Sequence, residues 1–395
     1  MDRKGEVHCR SRPFDRSTQK TMTNRERLLA IMAGRSPDRI PWIPRLQIWY
    51  EAHKRRGTLP ARYKGWSLRE IERDLGMGTP AREGRVFRTV LRDVEVNVHE
   101  QGDETRTEYI TPLGTVSTLT RRSEVLERGG ITHRMEVEHM IAGPQDYAVT
   151  EYLIEHTEIV PTYQEYLAYE AEVGQDGVPL VSIGPDPMYR ILRELIGYDR
   201  AFFHLHDYPD RISHLLGVLQ EQAAQIQRIV LGSPAVLILQ GEHFDSQMTP
   251  PYLFEKYMLP YFQPFAERLH ERGKVLACHA DADTSLLLDL IVEAGFDMAE
   301  CFVTAPMVPV TLEQARAAFG SDVIIWGGVP SVMLCDPVSD QAFEEYMRDL
   351  FQAIAPGDAF ILGVADNVMA EAKLERIERV SEMVQAYGAY PIQMA

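Results

Sequence analysis

From about residue 158 the chain repeats one pattern six times: a short apolar run, a loop carrying polar residues, then a helical stretch. The runs lie at 178–183, 235–240, 275–278, 297–302, 323–329 and 359–365. Unbroken apolar runs this short read as strands buried on both faces, because a helix needs a longer periodic stretch. Strands that alternate with helices build a parallel sheet. A first strand at 40–45, whose prolines place it near an edge or a strand end, and a less clear one near 75–79 bring the count to about eight. That is the count of a closed (β/α)8 TIM barrel. A doubly wound open sheet is the structural alternative. No GxGxxG follows any strand, which counts against a dinucleotide-binding version of it.

The remaining chain fits around this scaffold. Thr23 and Glu26 form a capping-box pattern that opens a helix ending at Gly34. Further helices are expected over 67–75, 162–173, 188–196, 209–231, 250–272, 284–294, 311–319, 340–354 and 374–387. Residues 86–140 change character: much of the stretch alternates with period two around Thr111-Pro112-Leu113-Gly114, the pattern of antiparallel hairpins with one wet face. They read as an insertion after the second strand. Residues 23–395 are therefore expected to form one barrel domain, and residues 1–22 a disordered tail.

Charge and cysteine usage narrow the function classes. A net charge of −17 repels phosphate backbones and anionic lipids, so neither nucleic acid nor membrane is an expected partner. No apolar run approaches the ~18 residues of a membrane span, and the polar, Arg-rich first twenty residues show no secretory signal. Cys9, Cys278, Cys301 and Cys335 are widely spaced with no CxxC pair, which points to a reducing, cytoplasmic compartment.

In a barrel, the residues just after each strand converge on one mouth, where chemistry sits. Here these are Asp186; Glu242, His243 and Asp245; His279, Asp281 and Asp283; Glu300 and Cys301; Asp366 and Asn367. Asp283 reads as the cap of the helix that Thr284 begins, and Cys278 and Cys301 as core thiols. Glu242 and His243 are sequence neighbours at a strand end, so they cannot both point inward. His279 and Asp366 are the site residues expected first. A histidine with two carboxylates is a ligand set for zinc or another divalent metal with an open position. Without metal, the same groups can do general acid–base work. Trp49, Tyr50 and Tyr189 are core residues by default, and a ring-shaped ligand could use them.

Several stretches resemble the uroporphyrinogen decarboxylase (URO-D) superfamily. They are Asn24-Arg25-Glu26-Arg27 through Arg39-Ile40-Pro41; the helix over 249–261; 275–283, where that family has His-Ser-Cys-Gly or His-Ile-Cys-Gly; and Trp326-Gly327-Gly328-Val329 with 360–367 at the last two strands. The resemblance covers about 23–55 and 150–392 and implies a (β/α)8 barrel. It also implies one of two chemistries, decarboxylation of a porphyrinogen or methyl transfer with corrinoid proteins, thiols or folates. The decarboxylases' Arg-Gln-Ala-Gly-Arg stretch is replaced here by Arg45-Leu46-Gln47-Ile48-Trp49, and their Phe-Ser-Asp motif is absent. The methyltransferases hold zinc with a His-x-Cys pair and a later Cys. This chain keeps the histidine as His279 but has Asp281 at the first Cys position and Asp366 near the second.

The resemblance therefore implies a methyltransferase. It would move a methyl group from a small methylated donor or a methyl-corrinoid protein to an acceptor such as tetrahydrofolate or a thiol. His279, Asp366 and Glu242 would be its metal and catalytic set, with Glu300 as another completion. Arg45, Gln47, Asp186, Tyr189, Asp281, Glu300 and Asn367 would contact substrate. The alternatives are a decarboxylase for a porphyrinogen or aromatic acid, using Arg45 and Asp186, and a non-catalytic corrinoid- or pterin-binding protein. A homodimer is the assembly the resemblance implies.

Overall fold

The computed structural model describes residues 21–393; the tail expected over 1–22 lies almost wholly outside them. Helix Asn24–Met32 opens the described chain. Its capping box forms as its sequence dictates: the Glu26 N–H donates to Thr23 Oγ1 at 3.1 Å, and the Glu26 carboxylate accepts from the Thr23 N–H at 2.7 Å.

The insertion follows residues 77–84. Strands β1 (Phe87–Leu91), β2 (Glu95–Gln101), β3 (Glu104–Thr111), β4 (Gly114–Arg121), β5 (Met135–Glu138) and β6 (Thr157–Pro161) are all antiparallel. The middle four form one sheet, and β1 pairs with β6. Val116 of β4 packs on Val149 and Leu153 of helix Tyr147–Glu155, while Val96 and Val98 of β2 stay exposed. One face is covered and the other is wet, as period-two sequence predicts.

The six apolar runs become six parallel strands: β7 (Leu180–Ser182), β8 (Leu237–His243), β9 (Val275–His279), β10 (Met298–Phe302), β11 (Ile324–Pro330) and β12 (Phe360–Ala365). Each pairs with its successor in sequence. Two short segments extend this arc. Residues 40–43 lie beside β12, where Ile43 N–H donates to Leu362 O at 2.8 Å and Leu362 N–H to Pro41 O at 2.9 Å. Residues 77–84 lie beside β7, where Leu180 N–H donates to Ala81 O at 2.9 Å. Gly78 N–H donates to Trp42 O at 2.9 Å and so links the two segments.

Period-two alternation sorts the strand side chains into two apolar layers. Leu180, Leu239, Ala277, Met298, Trp326 and Ile361 face inward and meet Ile43; Leu28 and Ile31 of the first helix pack against the same cluster. The opposite faces, with Ile238, Leu276, Ala299 and Leu362, pack on the surrounding helices. Trp49, Tyr50 and Tyr189 belong to this outer layer, at most 7% exposed.

Three helices differ from expectation. The stretch 188–196 is a short turn, Pro187–Tyr189, followed by a π-helix, Arg190–Leu195. The stretch 250–272 is likewise interrupted by a π-helix at Phe254–Met258. The helix expected from Thr284 begins at Leu288, so Asp283 holds a turn through the Ser285 N–H at 3.0 Å and caps no helix.

Two predictions follow from packing. A Cβ added at Gly327 would sit 2.4 Å from Phe302 O, whereas Gly217, inside helix Pro209–Gly232, has nothing within 4 Å. Gly327→Ala should cost about 1–3 kcal/mol and Gly217→Ala should gain about 0.5–1 kcal/mol, read from denaturant midpoints. Glu72 is 3% exposed and, among the described residues, accepts a hydrogen bond from the Thr79 hydroxyl; burial pushes its pKa from 4.5 up to about 7. The folded chain thus holds a proton there that the unfolded chain releases near pH 4.5, so this residue's contribution falls as pH rises from 4.5 to 7. Glu72→Gln should remove that slope and be more stable than the parent at pH 8 by about 3 kcal/mol, measured as the pH dependence of the difference in unfolding free energy.

Candidate active site

The inward positions continue past the inner apolar layer to the strand ends. Two residues beyond Ala277 stands His279, and two beyond Met298 stands Glu300. Two β-bulges then alter what the regular pleat would present. Between Gln240 and His243, β8 advances three residues while β9 advances one, from Cys278 to His279. Gly241 and Glu242 are the excess, and His243 lands beside His279, with ring centroids 5.1 Å apart. In β10, Glu300 pairs with Trp326 and Phe302 with Gly327, leaving Cys301 as the extra residue at φ 57°. Bulges re-aim side chains in this way. Here Glu300 and Cys301, which regular alternation would send to opposite faces, both reach the mouth.

The groups gathered there form one charge network. His279 Nδ1 bonds Glu300 Oε2 at 2.6 Å, and Nε2 lies 3.4 Å from Asp281 Oδ2 and 3.9 Å from Asp366 Oδ1. His243 Nδ1 bonds Asp281 at 2.7 Å. Arg82 pairs with Glu300, and Arg45 with Asp366; Arg45 Nη1 also lies 3.3 Å from Cys301 Sγ. Burial opposes the imidazolium of His279, yet the carboxylate of Glu300 overrides this and holds its pKa well above the usual value. Burial would likewise raise Glu300 and Asp281, but Arg82 and His279 pull Glu300 down, and the two histidines pull Asp281 down, both far below the usual carboxylate range. Burial, with Glu300 and Asp366 nearby, pushes the Cys301 thiol up to about 12. With His279 charged, three cations (Arg45, Arg82, His279) face three anions (Glu300, Asp281, Asp366).

The donors fit a metal. Atoms of His243, His279 and Asp281 lie within 4.8 Å of one another, as do those of His279, Glu300 and Cys301. The first group matches the way proteins hold metals: a ligating histidine donates its other ring N–H to a carboxylate, which fixes the tautomer. Glu300 occupies that place on Nδ1, leaving Nε2 turned toward Asp281 and Asp366.

The residues expected from sequence are distributed as follows. His279, Asp281, Glu300, Asp366 and Arg45 meet in the network. Asn367 touches it through an Nδ2–H bond to Asp366 Oδ2 at 2.5 Å. Gln47 lines an adjoining cavity of about 800 Å³, together with Arg45, Glu72, Thr79, Arg82 and Tyr169. Glu242 stands apart from both metal-capable groups, displaced by the bulge, and is buried beside Asp186. Burial and mutual repulsion raise Glu242 well above its usual pKa and Asp186 to about 7. Asp186 caps its own chain by accepting from the Met188 and Tyr189 N–H groups. Cys301, expected as core, is buried but has its sulfur in the network. Sequence reading missed Arg82, which follows a segment with no apolar run to mark it. It also set aside His243, for which the adjacent Gly241 was the one local hint of a bulge.

The fold and the family agree. The chain resembles the solved structure of a methyltransferase from Methanosarcina mazei at TM-score 0.55 and 13% identity, over 93% of this chain and 99% of that one. A provisionally assigned vitamin-B12 independent methionine synthase from Listeria monocytogenes aligns at TM-score 0.36 and 13% identity, over 88% of this chain and 95% of that one, a similarity too low to carry weight. No curated protein matches the chain. Among the described residues no helix is long and apolar enough to cross a membrane. The family profile for uroporphyrinogen decarboxylase matches residues 184–387, just over half of the sequence and every strand from β8 to β12. On that match the chain belongs to the uroporphyrinogen decarboxylase (URO-D) family.

Proposed function

We propose that this member of the family is a metal-assisted methyltransferase. The observation that carries the reading is His279, held at Nδ1 by Glu300 and turned at Nε2 toward Asp281 and Asp366. His279, Asp281 and His243 would hold the ion, with Asp366 completing the set. This revises the set His279, Asp366 and Glu242 expected from sequence. One nitrogen-and-oxygen set of this kind suits zinc, which when bound supplies Lewis acidity to an acceptor thiol or pterin, or to the oxygen of a methyl ether.

The chain's own residues do the rest. Glu300 keeps the Nδ1 proton in place, and Arg82 keeps Glu300 ionised. Arg45 holds Asp366 at the rim, where the carboxylate retains 30% side-chain exposure. The cavity beside Arg45 and Arg82 is large enough for a methyl donor, or for the edge of a corrinoid presented by a partner protein. Tetrahydrofolate or a thiol is the acceptor we favour, in a cytoplasmic setting that suits its unpaired Cys278, Cys301 and Cys335. The arginines at that cavity are the observation favouring the second reading, decarboxylation of a carboxylate-bearing substrate, since guanidinium groups grip carboxylates.

Elemental analysis of the purified chain should find about one zinc per molecule, reduced to background in His279→Ala. Glu300→Gln should weaken zinc binding about 10–100-fold. Methyl transfer to tetrahydrofolate or a thiol, assayed with free methylcobalamin and a panel of methoxylated and methylated donors, should disappear in His279→Ala. Full transfer activity in that variant would overturn the reading; turnover of uroporphyrinogen by the parent would replace it with the second.

A further inference from the structure

A second cavity, of about 440 Å³, lies between the insertion and the end of β7. Its volume is that of a small-molecule site. Phe87 and Leu91 of β1, Tyr109 of β3, Leu153 of helix Tyr147–Glu155 and Ile226 of helix Pro209–Gly232 give it apolar walls. The insertion thus furnishes one side and the barrel the other. Ser182 marks the barrel side: it is exposed although Val181 and Ile183 on either side of it are buried, as befits a strand residue that faces a hollow.

One cation and one anion line this cavity, Arg190 and Glu194, and they are held differently. Arg190 opens the π-helix, and its Nη1 donates to Gln222 Oε1 at 2.6 Å. Gln222 is 6% exposed and is itself fixed, because its Nε2 donates to Ile154 O at 3.0 Å. Glu194 approaches Arg190 Nε only to 3.6 Å, outside hydrogen-bond range, and keeps 40% side-chain exposure. The guanidinium is therefore held in place while most of its N–H groups remain available to another acceptor. Burial lowers its pKa by more than Glu194 restores, so its charge is under-compensated. A positioned guanidinium recognises a carboxylate through two parallel bonds. One such group beside apolar walls suits a monoanion with a hydrocarbon body; the second charge of a phosphate would find no partner among the lining residues.

We propose that this cavity binds an apolar monocarboxylate, a hydrocarbon ring or branched chain bearing one carboxylate, gripped by Arg190. The ligand's carboxylate takes the position that Glu194 approaches without bonding, and its body lies against Phe87, Leu91 and Ile226. The insertion then has a role, since β1 and β3 supply the wall that the barrel alone lacks. None of the residues lining this cavity belongs to the His279 network. The inference does not rest on methyl transfer, and it stands or falls separately from that reading.

The test uses the full chain with phenylacetate as the probe, compared with phenylacetamide, phenethylamine and acetate by titration calorimetry and thermal midpoint. We expect phenylacetate to bind and to raise the midpoint. Phenylacetamide, which lacks the charge, should bind about tenfold or more weakly. Acetate, which lacks the apolar body, and phenethylamine, whose charge is reversed, should bind more weakly still. Arg190→Gln should weaken phenylacetate about 10–100-fold. Glu194→Gln should strengthen it, because the competing carboxylate is gone. Ile226→Trp puts a ring into the cavity and should abolish binding. If Arg190→Gln fails to fold, Glu194→Gln and Ile226→Trp, at partly exposed positions, remain decisive. His279→Ala, read for zinc in parallel, should bind phenylacetate as the parent does. The proposal is overturned if phenylacetate does not bind at millimolar concentration, or if the amide or the amine binds as tightly. It is equally overturned if Glu194→Gln weakens binding, or if Ile226→Trp binds undiminished, which would place the carboxylate at Arg45 and Arg82 instead.

Discussion

Glu300 is the residue on which the mouth of this barrel depends. Taking a carboxylate fully out of water costs several kcal/mol unless partners repay it, and Glu300 is 1% exposed. Its partners come from two distant parts of the chain: Arg82 from the loop before the insertion, and His279 from the neighbouring strand. The pair with His279 fixes the ring's orientation, and the ring's remaining nitrogen sets the direction of the candidate site. Removing either partner would strand a buried charge, so the two halves of the chain are held to one another by electrostatics as well as by the apolar layers.

The network also explains why a strongly acidic protein can keep several carboxylates close together. The overall charge is −17, yet the mouth is balanced by Arg45, Arg82 and His279. An imidazolium here occupies the electrostatic position a metal ion would take. A divalent ion loaded there would displace protons as well as add charge, the linkage expected wherever ligands are held protonated before metal arrives.

Much of this was legible in the sequence. Apolar runs mark buried parallel strands, and the residue after such a run marks the mouth, so His279, Asp281, Glu300, Asp366 and Arg45 could be named without coordinates. Period-two alternation likewise announced the insertion. The failures share a cause: local backbone geometry that leaves almost no compositional trace. Arg82 was missed because residues 77–84 form a stave through isolated hydrogen bonds with little apolar sequence. The premise that neighbours at a strand end cannot both point inward favours Glu242 as the second carboxylate and leaves His243 aside; the bulge brings His243 beside His279. Cys301 was assigned to the core because buried thiols usually belong there; a bulge at φ 57° turned it toward Arg45. The π-helices at 190–195 and 254–258 interrupt helical stretches whose periodicity gives no warning of them.

The β8 bulge has a consequence for how such a site can change over evolution. Its two excess residues mean that the ligand set is specified by chain length as much as by residue identity. Deleting Gly241 would exchange the faces on which Glu242 and His243 stand, with every side chain of the remaining strand conserved. Relatives differing by a single codon there could therefore present unlike chemistry from nearly the same sequence, and an aligned column at position 242 or 243 would conceal the difference.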